Sequence, residues 1–288
     1  MLTVPAPFLF AFGVSAAVAF IAWRLRSLSL SGAIAAGVIG CAALSASWGM
    51  GCYLIAWFAL ATALSRIGKR RKELRVSGIV EKSSQRDAWQ VLANGGVFFV
   101  CALLVALFTR SGFEGRGPAI LFSIAGAGSL AAAGADTWAT EIGTLVGGAP
   151  WSLRSFSRVP AGTSGAITLA GTLAMIAASV TLAALAFLFE LIPRSDLPLS
   201  LSVSTAGAIA FGGIVGAFAD TLFGAWLQER RWCPRCTTET EQFIHRCGTP
   251  TAHHAGLGGL NNDWVNVFCS LIGALAPFVP LLILSLYA

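Results

Sequence analysis

Eight stretches of about twenty mostly apolar residues divide this chain, and each is long enough to cross a bilayer as a helix. Hydrocarbon offers no water to backbone N–H and C=O groups, so a span must satisfy them internally, as a helix does. The stretches fall near residues 4–23, 29–47, 49–66, 88–109, 118–136, 163–191, 201–227 and 264–287. The expected fold is therefore all-α: a polytopic helical membrane protein with about eight transmembrane helices in a single embedded domain, residues 1–288. A hydrophobic share of 56%, a charged share of 11% and a mean hydropathy of +0.76 exclude an ordinary soluble domain. The first stretch follows no basic segment and has no small-residue cleavage site before Arg24, so it is read as a retained span rather than a signal peptide.

Charge orients the spans. Of the 19 Lys and Arg, 16 fall on the side holding residues 24–28, 67–87, 137–162 and 228–263, Arg66 at the end of the third stretch included; only Arg110, Arg116 and Arg194 fall on the other. The positive-inside rule makes the first side cytoplasmic and puts both chain ends outside. A net charge of +6 suits anionic lipid surfaces and phosphorylated substrates alike, and no nucleic-acid partner is expected.

Acids interrupt this apolar pattern in a repeated way. Ala135-Asp136-Thr137 closes one glycine-rich apolar run, and Ala219-Asp220-Thr221 closes another 84 residues later. An internal repeat is implied, two corresponding helices each delivering one Asp to a common place. Glu141 follows Asp136 by five positions. On a helix Asp136 shares a face with Thr140 and Glu141 with Thr137, so the two acids converge only if the helix ends or bends there.

Other polar residues gather at the same ends. The loop from Arg66 to Arg86 carries eight Lys or Arg against Glu73 and Glu81, which reads either as a topology signal or as a phosphate-binding surface. Asp87, Gln90 and Asn94 share a face as the fourth span begins, toward a cavity or a partner helix. Gly162-Thr163-Ser164-Gly165 leads into the sixth span; it offers either backbone amides for phosphate oxygens or simply an N-cap at Thr163 or Ser164. Asp220, Gly224 and Gln228 form one face of the seventh. Asn261-Asn262-Asp263 precedes the last span as a cap, or, together with Asn266, as a ligand shell.

Residues 228–263 form a loop with metal-like spacing. Cys233 and Cys236 make half of a zinc knuckle, which Cys247 and His245 would complete, with His253 and His254 nearby. A second Cys-x-x-Cys is missing, and a reducing compartment argues against a disulfide. Cys41, Cys52, Cys101 and Cys269 lie in spans and read as small apolar residues.

Five motifs, in order from about residue 66 to the end, resemble the integral-membrane phytyl-phosphate kinase family, which includes the plant enzyme of tocopherol salvage and a related animal group called transmembrane protein nineteen. They are Arg86-Asp87 with Gln90 to Gly95, Ala135 to Gly143, Pro160 to Gly165, Ala219-Asp220-Thr221 with Gly224 to Gln228, and Leu260 to Asp263 with Val265-Asn266. Thr140 stands where the commoner form has Ser. The Cys-x-x-Cys segment varies within that family. The resemblance implies phosphorylation of a prenyl monophosphate, phytyl or geranylgeranyl phosphate, to its diphosphate by a nucleoside triphosphate such as CTP. Such a transfer needs Mg²⁺ on carboxylates and cations on the phosphates. Asp136, Glu141, Asp220 and Asp263 are the candidate metal ligands and catalytic acids. Lys82, Arg86, Asn94, Arg158, Gly162, Thr163, Ser164, Gly165, Gln228, Asn261, Asn262 and Asn266 are the candidate substrate and nucleotide contacts. Membrane lipids, the isoprenoid phosphate, a nucleotide and a second copy of the chain are the expected partners. Two rivals use the same acids: a transporter or flippase of a phosphorylated lipid, and a Mg-dependent phosphatase or cytidylyltransferase.

Overall fold

The computed structural model describes residues 6–76, 85–111, 117–191 and 202–287. Its helices are α1 (Ala6–Arg24), α2 (Leu30–Ala46), α3 (Trp48–Arg66), α4 (Lys69–Val76), α5 (Ala88–Arg110), α6 (Gly117–Val146), α7 (Leu169–Leu191), α8 (Val203–Trp226), α9 (Asn262–Leu275) and α10 (Phe278–Leu286). Two short hairpin strands, β1 (Trp151–Ser152) and β2 (Ala166–Ile167), pair antiparallel. A three-stranded ribbon is built from β3 (Arg230–Cys233), β4 (Thr238–Thr240) and β5 (Ala252–Ala255) in the order β4-β3-β5. The chain is an integral multi-pass helical membrane protein. Among the described residues six helices are long and apolar enough to span, α9 and α10 counted as one, while α1 and α2 are shorter apolar helices.

Local chemistry sets the helix starts. Ser29, Ser47 and Ser202 cap α2, α3 and α8, each accepting from a backbone N–H three residues on. Asp87 and Gln90 form a reciprocal capping box on α5: the Gln90 amide donates to Asp87 Oδ1 at 2.9 Å and the Asp87 amide to Gln90 Oε1 at 3.1 Å. Two of the three polar residues expected to face a cavity or a neighbouring helix thus also cap the start of their own helix.

Three boundaries differ from the sequence reading. The fifth span does not stop at Asp136: α6 continues ten residues to Val146, because no Pro intervenes before Pro150 and the single Gly143 is buried within the helix, the chain leaving it only at Gly147 and Gly148. The sixth begins at Leu169 rather than 163, after β2, and Thr168 Oγ1 accepts from the Gly171 amide to start it. The last is split at Ala276-Pro277, where proline cannot supply the N–H that would continue α9. A short helix, α4, also forms within the basic loop.

α6 is the hub. It packs on α3, α5, α7, α8 and α9, and it is the most buried of the spans. Tyr53, Phe98, Leu130, Leu182 and Ile209 fill the core around it, and the Tyr53 hydroxyl donates to the Ala127 carbonyl at 3.2 Å. Small residues let α6, α8 and α9 meet backbone to backbone. Gly128 and Ala132 of α6 and Gly212 and Gly216 of α8 all close on Gly273 of α9. These pairs stand 84 residues apart, like Asp136 and Asp220, so each repeat reads small-xxx-small-xxx-Asp along one helical stripe.

The basic segments come together at one end of the bundle. Arg66 donates to the Leu25 carbonyl and the Ser27 hydroxyl, Leu28 bridges to Arg86, and Arg75 donates to the Thr144 carbonyl at 2.7 Å. At the opposite end Arg110 donates to the Ser45 carbonyl.

Candidate active site at the basic face

The stripe that brings α6 and α8 together also delivers their acids. Asp136 and Asp220, each one turn beyond its small residue, meet with their carboxyls in hydrogen-bonding contact. Oδ2 of Asp220 is buried with no partner among the described residues. Two carboxylates in contact repel strongly unless a proton or a cation lies between them. An orphaned carboxylate oxygen beside a second acid is a donor set that suits a hard divalent cation, which takes oxygen ligands from one or two carboxylates and leaves the rest to water or phosphate.

Depth places the pair near the membrane boundary. Nineteen residues separate Gly117 from Asp136, a rise of about 28 Å at 1.5 Å each, close to the roughly 30 Å of hydrocarbon. The ten residues that α6 adds beyond Asp136 project past that level instead of burying it.

Glu141 does not join the pair. Five positions on a helix turn a side chain about 140° away. Lys72 of α4, only 7% exposed, donates to the Glu141 carboxylate and to the carbonyls of Leu64 and Ser65 at 3.0 Å. Arg86 feels Glu141 as well; burial pulls its guanidinium below the ordinary value and Glu141 opposes that. Sequence reasoning had no signal to separate Lys72 from its neighbours in the basic loop. Only folding shows that it is buried while Lys69, Arg70 and Arg71 beside it are exposed.

A second missed residue completes the site. Glu241, in the ribbon just after β4, accepts from Gln228 Nε2 at 2.8 Å and from the Ser164 hydroxyl at 2.5 Å, and its charge is felt at Asp220. Gln228 is buried and Ser164 half-buried. The Gly162–Gly165 turn therefore docks on the end of α8. It leads into β2 rather than into a helix, so the helix-terminus argument for phosphate binding does not apply to it; Thr163 is tied back onto Pro160 by both its amide and its hydroxyl. Gly165 holds a φ of +69°, and a Cβ there would run into the Ala225 backbone. Gly165→Ala is expected to lift the turn off α8 and break the Ser164–Glu241 contact, seen as faster amide exchange over residues 163–166. Unchanged exchange there would refute this docking.

The remaining predicted residues divide. Asp263 is buried in the first turn of α9 and Asn266 is half-buried; Cys269, further along the same helix, lies in the field of both Asp136 and Asp220, so the middle of α9 flanks the pair. Asn261 is the α9 N-cap and accepts from the Trp264 amide at 3.3 Å, while Asn262 is exposed. Arg158 lies exposed on the β1–β2 hairpin, donating to the Ala149 carbonyl and stacked over Trp151. Lys82 lies outside the described residues. Asn94 donates to the Gln90 carbonyl and, with Arg86 and Gln90, borders a narrow apolar slot between α1, α2, α3 and α5. The slot runs from Ala22 and Leu28 past Ile39 and Phe58 to Ser15 and Leu44, so its one charged residue, Arg86, stands at the basic-face end.

Cys233, Cys236, His245 and Cys247 bring their ligand atoms within 4.8 Å of one another. All seven cysteines are free thiols. Thr249 and His245 hold the Cys247 thiol down at about 5.

A family model described as integral membrane protein DUF92 matches residues 13–274. Protein PGR of Arabidopsis thaliana is 30% identical over 275 residues, 92% of each chain. An uncharacterized membrane protein of Methanocaldococcus jannaschii is 30% identical over 77% of this chain and 72% of its own. Protein VTE6, chloroplastic, also of A. thaliana, is 27% identical over 87% of this chain and 64% of its own length. No solved structure matches.

Proposed function

This chain belongs to the DUF92 family of integral membrane proteins, and from that premise we propose that it transfers a phosphoryl group from a nucleoside triphosphate, CTP among the candidates, to a prenyl monophosphate. The observation that carries the reading is the Asp136–Asp220 contact at the membrane boundary, with one buried carboxylate oxygen left over. Mg²⁺ held by Asp136 and Asp220, with Asp263 at the flank, would supply charge neutralisation to the phosphate oxygens. The acceptor phosphate is already an anion, so no general base is required.

The chain's own groups supply the rest. Arg86 at the end of the apolar slot receives the acceptor phosphate, and the isoprenoid tail lies along the slot, whose lining is almost wholly apolar. The Ser164–Glu241–Gln228 contact closes the α8 side of the acids and keeps the donor in place. The active face is the basic one, cytoplasmic by its charge.

Protein reconstituted in lipid nanodiscs, given Mg²⁺, each of the four common nucleoside triphosphates and phytyl or geranylgeranyl phosphate, is expected to yield the prenyl diphosphate, detected by mass. Release of free phosphate from the lipid, a cytidylyl-lipid product, or lipid-phosphate flux across vesicles without nucleotide would each overturn the kinase reading in favour of a different reaction.

A further inference from the structure

The excursion from Glu229 to Gly259 leaves the membrane face and returns to the same place. The Glu229 amide donates to the Leu260 carbonyl and the Leu257 amide to the Leu227 carbonyl, while Glu229 Oε2 accepts from the Gly259 amide at 2.7 Å. What fills its interior is unusual. The buried residues of the excursion are Arg230, Cys233, Thr240, His245 and Thr251, with no aliphatic side chain among them. Phe243, Ile244 and Leu257 are more than half exposed. Thirty residues without an apolar core cannot hold one conformation by burial alone, and small units of this kind rely on a staple.

The staple is visible in the side chains. Cys233 at the end of β3 and Cys236 three residues on form one knuckle, whose turn is closed by Thr237 at a φ of +50°. His245 and Cys247 form the other, turned by Gly248 at +79°. Cys233 Sγ stands 3.6 Å from Cys247 Sγ, and His245 Nδ1 stands 3.3 Å from the same sulfur. Around zinc, with Zn–S of about 2.3 Å and Zn–N of about 2.0 Å, the edges of the ligand tetrahedron are about 3.5–3.8 Å. The spacing fits a closed four-ligand site.

We propose that Cys233, Cys236, His245 and Cys247 bind one zinc ion, and that this ion positions Glu241 against Ser164 and Gln228. Glu241 lies between the two knuckles, one residue past β4 and four before His245, so a link across the knuckles fixes the loop that carries it. The zinc site is structural, with all four positions taken by protein, and its existence does not depend on the phosphoryl-transfer reading.

Metal analysis of the purified full-length protein tests the first half. About one zinc per chain is expected, retained in Cys41→Ser and Cys101→Ser, lost in His245→Ala and restored in His245→Cys, whose thiolate can replace the imidazole. Cobalt substitution of the wild-type protein should give the visible bands of a tetrahedral thiolate site, a readout that needs no variant. Zinc below about a tenth of an equivalent, iron in its place, or a Cys233–Cys247 disulfide overturns the site. Hydrogen exchange tests the second half. Stripping the metal with a thiol-directed mercurial and a chelator is expected to speed exchange at residues 163–166 and 238–242 while α6 and α8 stay protected; unchanged exchange at 163–166 refutes the positioning role.

Discussion

Asp136→Asn and Asp220→Asn are each expected to lower prenyl diphosphate formation by about 10³-fold while leaving the bundle as stable as before or more so. Asn keeps the shape and most of the hydrogen bonding of Asp, so the α6–α8 packing at Gly128, Ala132, Gly212 and Gly216 has no reason to change. What changes is charge. In the wild-type protein two carboxyls touch where little water reaches them, and removing one relieves that repulsion. The protein without metal should therefore melt at an equal or higher temperature in either variant. Mg²⁺ should raise the melting temperature of the wild-type protein, since a ligand that binds only the folded state stabilises it, and this shift should shrink in the variants. Melting curves with and without Mg²⁺, together with diphosphate yield, check both halves. Wild-type turnover in either variant, or a Mg²⁺ shift that survives both, would remove the pair from the mechanism.

The second large effect comes from a residue that takes no part in chemistry. Gly273→Val is expected to cost about 1–3 kcal/mol or more and to abolish activity by driving α6 and α8 apart. A Cβ on Gly273 would collide with Ala132 Cβ and stand 2.8 Å from the Gly128 carbonyl oxygen. Neither neighbour has a flexible end that can swing aside. Gly216, whose added Cβ would meet the Cys269 carbonyl oxygen at 2.7 Å, guards the same crossing from α8. The comparison is Gly96→Ala in α5, where nothing lies within 4 Å and only helix propensity changes; it should be neutral or mildly stabilising. Equal melting temperatures for the Gly273 and Gly96 variants would show that the three-helix crossing is not what holds the acids together.

Much of this arrangement was readable in advance. Apolar run length placed the helices, and the Ala-Asp-Thr tripeptide at a spacing of 84 named the two residues whose carboxyls touch, because a repeated helix packed in a repeated way carries its side chains to equivalent depths. The Cys233, Cys236, His245 and Cys247 cluster was likewise visible from ligand spacing. Glu141 joins Asp136 only on a helix that ends or bends between them; α6 runs on to Val146, and on a continuing helix the two side chains point apart. Asp87 and Gln90 stand at capping-box spacing, a role written in the order Asp-x-x-Gln, while Gln90 and Asn94 also border the slot that their shared face predicts.

Glu241 and Lys72 show where such reading stops. Neither carries a local pattern: one acid among several polar ribbon residues, one base among eight in a loop. The sequence by itself determined the membrane class, the helix positions and the paired acids, because hydrophobic length and repeat spacing are properties of neighbouring residues along the chain. Only the tertiary structure decided that Lys72 takes Glu141 and that Glu241 holds Ser164 and Gln228. A single charged side chain acquires a partner through burial and long-range proximity, and neither is written in the residues beside it.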